Sequence, residues 1–284
     1  MTALRKASVE PLVEGEFAFT ADDFREIADI LYADSGIHLA DAKATLVYSR
    51  LAKRLRRLGL PSFAAYRALL QGPDGEGERA NLLSALTTNV TRFFREPHHF
   101  DILRRQVRDV LAPRARAGGR VRLWSAGCSL GHEPYSMAMA LLAELPEAGD
   151  LDVRILATDI DPVVVDRARL AQYSPEDIEP VPADLAARCV IRRESSVGVS
   201  DAVRKLISFG VLNLHAPWPM KGSFDAIFCR NVAIYFDEET QQRLWGRFAE
   251  RLAPQGKLYI GHSERADIPA LTPDGLTVYR RGGS

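Results

Sequence analysis

The chain has 284 residues, of which 46% are hydrophobic and 26% are charged, the composition of a folded globular protein with one large or two modest domains. Its 37 basic residues are balanced by 37 acidic ones, so the chain as a whole lacks the basic excess that is usual in proteins that bind duplex nucleic acid. Three widely spaced cysteines form no CxxC pair, no apolar run reaches membrane-spanning length and the acidic N-terminus is unlike a signal peptide, so we expect a reduced, cytoplasmic protein.

The first ninety residues are predicted to form helices only. Residues 1–16 lack periodicity and are expected to be a flexible tail. A capping-box pair, Thr20 and Asp23, then begins a helix that Gly36 ends. Three more helices are predicted at about residues 42–58, 62–70 and 78–87. We therefore expect an all-helical N-terminal domain over residues 17–96.

The second of these helices carries a basic face opposite its apolar stripe. The residues of this face are Arg50, Lys53, Arg54, Arg56 and Arg57. Such a face is most often the solvated side of an amphipathic helix. It would also serve as a docking surface for an acidic partner, because the charges would steer that partner toward the helix. The pattern by itself leaves both interpretations open.

The segment Asn89–Pro97, which reads NVTRFFREP, is unusual for a core helix. Two adjacent Phe residues stand beside two Arg residues and a run of small polar ones. A helix is predicted after it, at about residues 98–111, and a basic segment that ends in glycine follows the helix. We assign residues 97–119 to a helix and linker that lead into the next domain.

Strands and helices alternate from residue 120 onward. Strands are predicted at residues 120–125, 153–158, 226–229, 257–261 and 276–280, and helices near residues 134–145, 162–171 and 238–252. This alternation predicts an α/β domain over residues 120–284 with a parallel sheet, in which ligands bind beyond the carboxyl ends of the strands. The segment at about residues 189–209 fits the pattern poorly, and we expect it to form a small antiparallel insert.

A glycine turn follows the first predicted strand, in the stretch Trp124–Pro134, which reads WSAGCSLGHEP. Gly127 and Gly131 allow the backbone to bend tightly and to approach a ligand closely. Glu133 stands at the exit of the turn and no P-loop lysine follows, so a phosphate ligand is disfavoured. A cationic ligand such as a sulfonium or an amino group suits the acidic residue better. A tight turn that binds nothing is the alternative that the glycines alone leave open.

Polar residues also follow three other predicted strands, at the same edge of the sheet. Asp159 ends the second strand, where Rossmann-like folds hold ribose hydroxyls. Asn213-Leu214 and Arg230-Asn231 follow two later strand-like segments. The second pair lacks the Asn-Pro-Pro-Tyr/Phe motif that is typical of enzymes that methylate amino nitrogens. An amide or adenine nitrogen is therefore a poor candidate for a methyl acceptor. An arginine in this neighbourhood, or Arg95, suits an anionic oxygen nucleophile better.

Two other kinds of site are disfavoured. The six histidines include no HExxH motif or other metal-ligand spacing, so no metal site is predicted. His262 and Ser263 follow a predicted strand, yet the chain has no GxSxG elbow, which argues against a serine hydrolase.

Five stretches taken together resemble the CheR-type chemotaxis receptor methyltransferases, which transfer a methyl group from S-adenosylmethionine to receptor glutamates. They are Asn89–Pro97, Trp124–Ser136 (WSAGCSLGHEPYS), Ala157–Asp161 (ATDID), Phe224–Gln241 (FDAIFCRNVAIYFDEETQ) and Pro254–Glu264 (PQGKLYIGHSE). The resemblance covers almost the whole chain from about Phe17. It implies a class I S-adenosylmethionine-dependent methyltransferase domain, Rossmann-like in fold, with a small β-subdomain insert and an all-helical domain before it.

The resemblance also implies which residues form the site. Arg95 and Tyr235 correspond to the family's residues closest to the transferred methyl group. The cofactor pocket would be lined by Asn89, Thr91, Arg95, Glu133, Asp159, Asn213, Leu214, Arg230 and Asn231. In some members a glycine-rich loop of the β-subdomain grips a peptide at the receptor's C-terminus. The corresponding loop here, residues 193–200, is short and has one glycine, so we expect no such tether.

By this resemblance the chain is expected to be a protein-glutamate O-methyltransferase of chemotaxis adaptation that converts S-adenosylmethionine to S-adenosylhomocysteine. Its expected partners are the cytoplasmic helices of methyl-accepting chemoreceptors, which would dock on the basic helix face, and neither nucleic acid nor membrane insertion is expected. Two alternatives remain open. One is an S-adenosylmethionine-binding sensor or adaptor without catalysis, against which the intact Arg95, Asn231 and Tyr235 argue. The other is an RNA methyltransferase, whose best support is the basic helix.

Overall fold

The computed structural model describes residues 12–73, 75–194 and 196–282. The chain forms two compact units that divide between Thr88 and Asn89. Of the predicted tail over residues 1–16, the first eleven residues lie outside the described part. Among the described residues, no helix is both long and apolar enough to cross a membrane.

In the described part of the first unit there are four α-helices: α1 (Ala21–Ser35), α2 (Ala44–Leu58), α3 (Phe63–Gln71) and α4 (Gly75–Leu86). The predicted capping box at the start of α1 is confirmed, because Thr20 Oγ1 accepts from the Asp23 amide at 3.1 Å and Asp23 Oδ2 accepts from the Thr20 amide at 2.9 Å. Gly36 ends the helix in the left-handed conformation. The rings of Phe19 and Phe63 lie 4.4 Å apart and are fully buried, so the segment before α1 contributes to the core of this unit.

The second unit alternates strands and helices, as the sequence predicts. Its helices are α5 (Pro97–Gln106), α6 (Ala112–Arg116), α7 (His132–Glu144), α8 (Pro162–Leu170), α9 (Ala183–Cys189), α10 (Asp201–Arg204) and α11 (Glu238–Arg251). Its strands are β1 (Val121–Ala126), β2 (Val153–Asp159), β3 (Gln172–Tyr173), β4 (Val190–Arg192), β5 (Val197–Val199), β6 (Ile207–Val211), β7 (Phe224–Cys229), β8 (Leu252–Ile260), β9 (Leu271–Gly275) and β10 (Val278–Arg281). A π-helical turn at Val107–Leu111 joins α5 to α6.

The main sheet has seven strands in the order β6-β2-β1-β7-β8-β10-β9. The first five are parallel neighbours, and β10 pairs antiparallel with both β8 and β9. From β1 the chain builds outward through β2 to β6 on one side, and then through β7 and β8 on the other. The strand order therefore reverses between β1 and β7, and in such sheets ligands bind beyond the carboxyl ends of the strands at this switch point.

Two strand predictions differ from the structure. The antiparallel insert expected at about residues 189–209 is a three-stranded sheet in the order β3-β5-β4, and its first strand lies before the predicted segment. Residues 207–211 are not part of it, because they pair in parallel with β2 as the edge strand of the main sheet. The single C-terminal strand expected at residues 276–280 is an antiparallel pair, β9 and β10.

The central strands β1 and β7 are buried on both faces by the helices and loops around them. Every residue of β7 is buried, and the ring of Phe228 stacks on Tyr259 of β8 with centroids 4.2 Å apart. On the other face Trp124 packs against Trp218, Phe224 and Phe248 at 5.0 to 5.3 Å. This continuous apolar burial is typical of parallel strands between two helical layers, and it makes the sheet a rigid support for the loops at its carboxyl edge.

Candidate active site

The glycine turn after β1 is shaped by its two glycines and by contact with the loop that follows β7. Gly127 and Gly131 have φ angles of 101° and 90°, which side chains other than glycine rarely adopt. A Cβ added at Gly127 would lie 2.3 Å from Cγ2 of Val232. The amides of Gly127 and Cys128 both donate to the carbonyl of Thr158 at 2.8 Å. The turn is thus hydrogen-bonded to the end of β2 and packs against the loop after β7.

Asp159 joins the glycine turn at the end of β2. Its Oδ2 accepts from the backbone N–H of Ser129 at 2.8 Å, and its Oδ1 accepts from that of Asp161 at 3.1 Å. Each carboxylate oxygen can accept a further hydrogen bond, as the predicted contact with ribose hydroxyls requires. Burial raises the pKa of the Asp159 carboxyl, and the two backbone hydrogen bonds partly oppose that rise.

Arg230 and Glu133, both predicted to line the cofactor pocket, form a buried ion pair. Arg230 Nη1 lies 3.3 Å from Glu133 Oε2, and Ser125 Oγ donates to Glu133 Oε1 at 2.7 Å. Arg230 also lies 3.4 Å from Glu96 Oε2 and donates to the carbonyl of Arg95. Its side chain is only 2% exposed. Burial raises the pKa of Glu133, while the charge of Arg230 favours the ionised form. This placement indicates that Arg230 supports the site by joining its segments.

The segment Asn89–Pro97 is drawn into the second unit by its two phenylalanines. The Phe93 ring packs on His132 and Tyr173 at 4.8 and 4.9 Å, and the amide of Phe94 donates to Ser136 Oγ at 3.0 Å. These contacts explain why two adjacent Phe residues occur in a segment that is not a core helix. The segment is irregular, and both of its rings are buried in the second unit.

The polar residues of the same segment face the glycine turn and one another. Ser129 Oγ lies 3.4 Å from the carbonyl oxygen of Asn89 and 3.5 Å from its side-chain oxygen. Arg95 is half-buried, and its Nη1 donates to the carbonyl of Val90 at 3.3 Å. Thr91 is also half-buried. With Asn89 it lines a cavity of about 370 Å³ that reaches His132 and Asp177.

The loop after β7 carries Asn231 and Tyr235. Asn231 has a left-handed backbone (φ 58°), and its side-chain Oδ1 is buried without a hydrogen-bond partner among the described residues. A buried acceptor of this kind fits a ligand that brings an N–H or O–H donor. Tyr235 is half-buried at the end of the short helical turn Ala233–Tyr235. The site-forming residues therefore offer acceptors and carboxylates, which suit a cationic, hydroxyl-bearing ligand such as S-adenosylmethionine.

Asn213 and Leu214 lie beyond the end of β6, and their contacts are separate from those of the glycine turn and the loop after β7. Asn213 Oδ1 accepts from the amide of His215 at 2.9 Å. Leu214 is buried, and its carbonyl accepts from Arg247, whose guanidinium stacks 3.9 Å from the ring of Trp218. Leu214 and His215 line a separate cavity of about 360 Å³. The structure thus places one pair of predicted cofactor residues, Asn89 and Thr91, at one cavity and Leu214 at another.

Backbone strain is concentrated in these loops. Six non-glycine residues of the described chain have a left-handed φ, and four of them lie in the segments of the site: Phe94, Glu96, Ser129 and Asn231. Each such residue costs about 1–3 kcal/mol and persists only where its surroundings over-determine it. Observed strain of this kind is typical of functional sites, so it independently marks the same edge of the sheet.

Glu264 is a site residue that the sequence analysis missed. Its buried carboxylate accepts hydrogen bonds from backbone amides of the loop after β7 and from Gly261. The available signal was an acidic residue just beyond a strand end, in the stretch GHSE. The same stretch belongs to one of the five resemblance motifs, but neither that motif nor the hydrolase alternative assigns a role to the carboxylate.

The sequence matches two family models, described as the all-alpha domain of CheR methyltransferase over residues 22–87 and the SAM binding domain of CheR methyltransferase over residues 89–271. A probable chemotaxis protein methyltransferase of Rhizobium etli is 48% identical over 258 residues, which are 88% of this chain and 96% of that protein. Chemotaxis protein methyltransferase 2 of Pseudomonas aeruginosa is 45% identical, with 88% of each chain covered. A chemotaxis protein methyltransferase of Escherichia coli is 42% identical, with 90% of this chain and 89% of that protein covered.

We expect the affinity for S-adenosylmethionine to fall as the pH is lowered toward the raised pKa of Asp159. If Asp159 accepts the ribose hydroxyls as predicted, its ionised form binds them more strongly than its protonated form. Burial raises its pKa, so affinity should be lost at a higher pH than for an ordinary aspartate. Glu133 acts in the same direction, because its pKa is also raised. Calorimetric titration of the cofactor across this pH range measures the effect.

The variant Asp159→Asn should bind more weakly at neutral pH and show a flatter pH profile, because the amide does not titrate. The control is Asp166→Asn on α8, whose side chain is 73% exposed, and it should keep the original profile. A profile for Asp159→Asn as steep as that of the unaltered protein would contradict the assignment.

Proposed function

The chain belongs to the CheR methyltransferase family, and we propose that it transfers the methyl group of S-adenosylmethionine to glutamate side chains of chemoreceptors, forming methyl esters in chemotaxis adaptation. The predicted family, fold class and cofactor are confirmed by the matches to both family domains. The observation that most supports the proposal is that relatives 42–48% identical over nearly the whole chain are chemotaxis protein methyltransferases. Glutamate as the methyl acceptor rests on the family resemblance, and the arginines of the site, which suit an anionic oxygen nucleophile, agree with it.

No strong general base is needed for this reaction. A glutamate carboxylate has a reference pKa of about 4.3 and is already ionised at neutral pH. S-adenosylmethionine, when bound, supplies an electrophilic methyl group on a sulfonium sulfur. The protein's part is then to align the acceptor oxygen with that methyl carbon and to replace water around the two charges with fixed dipoles.

Particular residues are suited to each part of this task. Asp159 would accept the ribose hydroxyls, and the unpartnered Oδ1 of Asn231 would accept a donor from the methionine end or the acceptor. Glu133 would hold the cationic part of the cofactor, because its charge is only partly offset by Arg230 at 3.3 Å. Tyr235 would fix the cofactor's methionine end or the acceptor.

Arg95 would orient the incoming carboxylate. One of its five N–H groups donates to the Val90 carbonyl, which leaves donors for a bidentate contact with a carboxylate. The Arg95 carbonyl is anchored by the buried Arg230. A guanidinium on an anchored backbone loses less freedom when it binds its substrate, so it can act as a pre-organised clamp.

Replacing Arg95 with alanine should lower kcat about 10²-fold, the scale of a misaligned reacting pair. The measurement is the initial rate of transfer of labelled methyl to receptor. Arg92→Ala is the matched control, since Arg92 is an exposed arginine of the same segment, and it should leave the rate near its original value. Near-normal transfer by Arg95→Ala would rule out the proposed role.

The basic face of α2 remains our proposed receptor-docking surface, but its five residues are not equivalent. Arg54 pairs with Glu78, which also accepts from the Tyr66 hydroxyl, and Arg50 donates to the carbonyls of residues 85–87 at the end of α4. These two arginines therefore hold the helices of the first unit together. Lys53 and Arg57 are exposed, and Arg56 pairs with Glu16 at an exposed site, where ion pairs are weak. Docking would thus depend on Lys53, Arg56 and Arg57.

Reversing the two exposed charges, with Lys53→Glu and Arg57→Glu, should raise the KM for receptor about tenfold at low salt and leave kcat unchanged. Added salt should shrink the difference, because it screens exposed charges. The control has the same change in net charge, Arg120→Glu with Lys221→Glu, at exposed residues that precede β1 and β7. If both double variants keep the original KM at low salt, α2 is not the docking surface.

The short connection between β4 and β5 supports the proposal that receptors are not tethered by their C-terminal peptide. β4 ends at Arg192 and β5 begins at Val197, so four residues separate the two antiparallel strands. A glycine-rich loop that grips a peptide has little length available here.

The reaction itself is tested by incubating the protein with methyl-labelled S-adenosylmethionine and receptor-enriched membranes. A methyl group on a receptor band that alkali releases as methanol, as expected of a glutamyl ester, supports the proposal. Alkali-stable label on RNA would support an RNA methyltransferase instead. Cofactor binding without any transfer would support a sensor or adaptor.

A further inference from the structure

We propose that Glu264 is a positioning residue for methyl transfer, whose carboxylate holds the loop after β7 in the shape that presents Asn231 and Tyr235. The side chain is 4% exposed and lies in the turn after β8. The kinetic test of this inference, a change in kcat, rests on the proposed function. Hydrogen exchange and cofactor binding test it without the receptor substrate.

The carboxylate of Glu264 accepts five backbone N–H groups. Oε2 accepts from Gly261 at 2.6 Å and from Asn231 at 2.9 Å. Oε1 accepts from three consecutive amides, those of Val232, Ala233 and Ile234, at 2.9, 2.8 and 3.3 Å. The four loop amides belong to residues 231–234, one residue beyond the end of β7. They point at one carboxylate, so they form an anion-binding concavity of the kind seen where successive amides face one ligand.

The loop depends on this carboxylate for two reasons. Its amides lie beyond the last residue of β7, so the sheet provides no acceptor for them, and a buried amide without an acceptor is costly. Asn231 is also held in a left-handed conformation that a non-glycine residue adopts only under external constraint. The bonds to Glu264 supply that constraint at the residue whose own side chain faces the site.

Within the described part of the chain, Glu264 has no salt bridge, and its charge is balanced by amide dipoles of the loop and of Gly261. Gly261 permits this approach, because a Cβ there would lie 2.8 Å from Asn231 Nδ2 and 2.9 Å from Glu264 Oε2. From the other side, Val232 is packed against Gly127 of the glycine turn. The loop after β7 is therefore held between the Glu264 carboxylate, which follows β8, and the glycine turn, which precedes α7.

Glu264→Gln tests the proposal with little change in volume. The amide keeps one acceptor oxygen, but its NH₂ group faces backbone donors that the carboxylate satisfied, so the loop should lose its fixed shape. We expect kcat to fall about 10²-fold, as for other misplacements of reacting groups, with the KM for receptor unchanged because docking lies elsewhere. Cofactor affinity should also fall, since Asn231 is displaced. Hydrogen exchange of the Asn231–Ile234 amides should become faster.

The matched control is Asp225→Asn at the other end of β7. Asp225 is 6% exposed, and its carboxylate likewise accepts a backbone amide, that of Arg122, at 2.9 Å, while pairing with Arg114 at 2.6 Å. Its loss should lower Tm while leaving kcat, cofactor affinity and exchange in the Asn231–Ile234 loop near their original values. A role for Glu264 in stability alone predicts that both variants lose activity in proportion to their loss of Tm.

A second variant keeps the test decisive if Glu264→Gln does not fold. Gly261→Ala retains the carboxylate but forces a methyl group against Asn231 and Glu264, so it should show the same faster exchange and weaker cofactor binding. Normal exchange and normal cofactor affinity in whichever variant folds would overturn the proposal. If the unaltered protein does not methylate receptor, the proposed function fails, while exchange and cofactor binding still decide the role of Glu264.

Discussion

The buried guanidinium of Arg230 is the interaction on which the candidate site most depends. It joins three segments that are far apart in sequence: its own strand end after β7, the start of α7 through Glu133, and the segment before α5 through Glu96 and the Arg95 carbonyl. A buried arginine is tolerated because two carboxylates and a carbonyl surround it, and removing Arg230 would leave the two largely buried carboxylates without a counter-charge. The same charge network therefore specifies how the segment that carries Arg95 sits on the sheet.

Glu264 has a complementary effect with different physics. Arg230 fixes a segment through opposite charges, whereas Glu264 fixes the next stretch of the same loop through backbone amides alone. Asn231 is adjacent to Arg230 in sequence, so one loop is held from two directions. The strained backbone of Glu96 and Asn231 sits at these two points of attachment. Strain of this kind is stable only because the bonds around it cannot be satisfied in another conformation.

The rigid sheet and the loops attached to it have different roles in the site: the sheet fixes positions, and the loops carry the functional side chains. Central strands buried on both faces hold their carboxyl ends at fixed spacing, and the topological switch between β1 and β7 opens the crevice there. The specific chemistry is carried by loops, which is where functional residues are usually found. In the first unit, by contrast, charged side chains have two separate uses. Arg50 and Arg54 bind their neighbouring helices, and the exposed part of the basic face consists of Lys53, Arg56 and Arg57.

The sequence by itself determined the helical first unit, the α/β alternation and the position of the glycine turn and Asp159 at one sheet edge. It did so because these features are local: the capping box at Thr20, the apolar strand runs and the glycines each express a preference within a few residues. The resemblance in five motifs added the cofactor and the family. The short strands were harder to predict, since Gln172–Tyr173 and Ile207–Val211 become strands through pairing partners elsewhere in the chain.

Only the tertiary structure decided what the charged residues do. Arg230 and Glu133 are predicted from the sequence to line the cofactor pocket, and the fold brings them together as a buried ion pair. The sequence places Arg54 on a basic helix face, whereas in the fold it is half-buried and pairs with the buried carboxylate of Glu78. Glu264 follows a predicted strand, but its role could not be predicted from that position, because most of its partners are backbone amides about thirty residues away. Charge–charge and side-chain–backbone contacts over such separations depend on how the chain is packed, which local residue preferences do not contain.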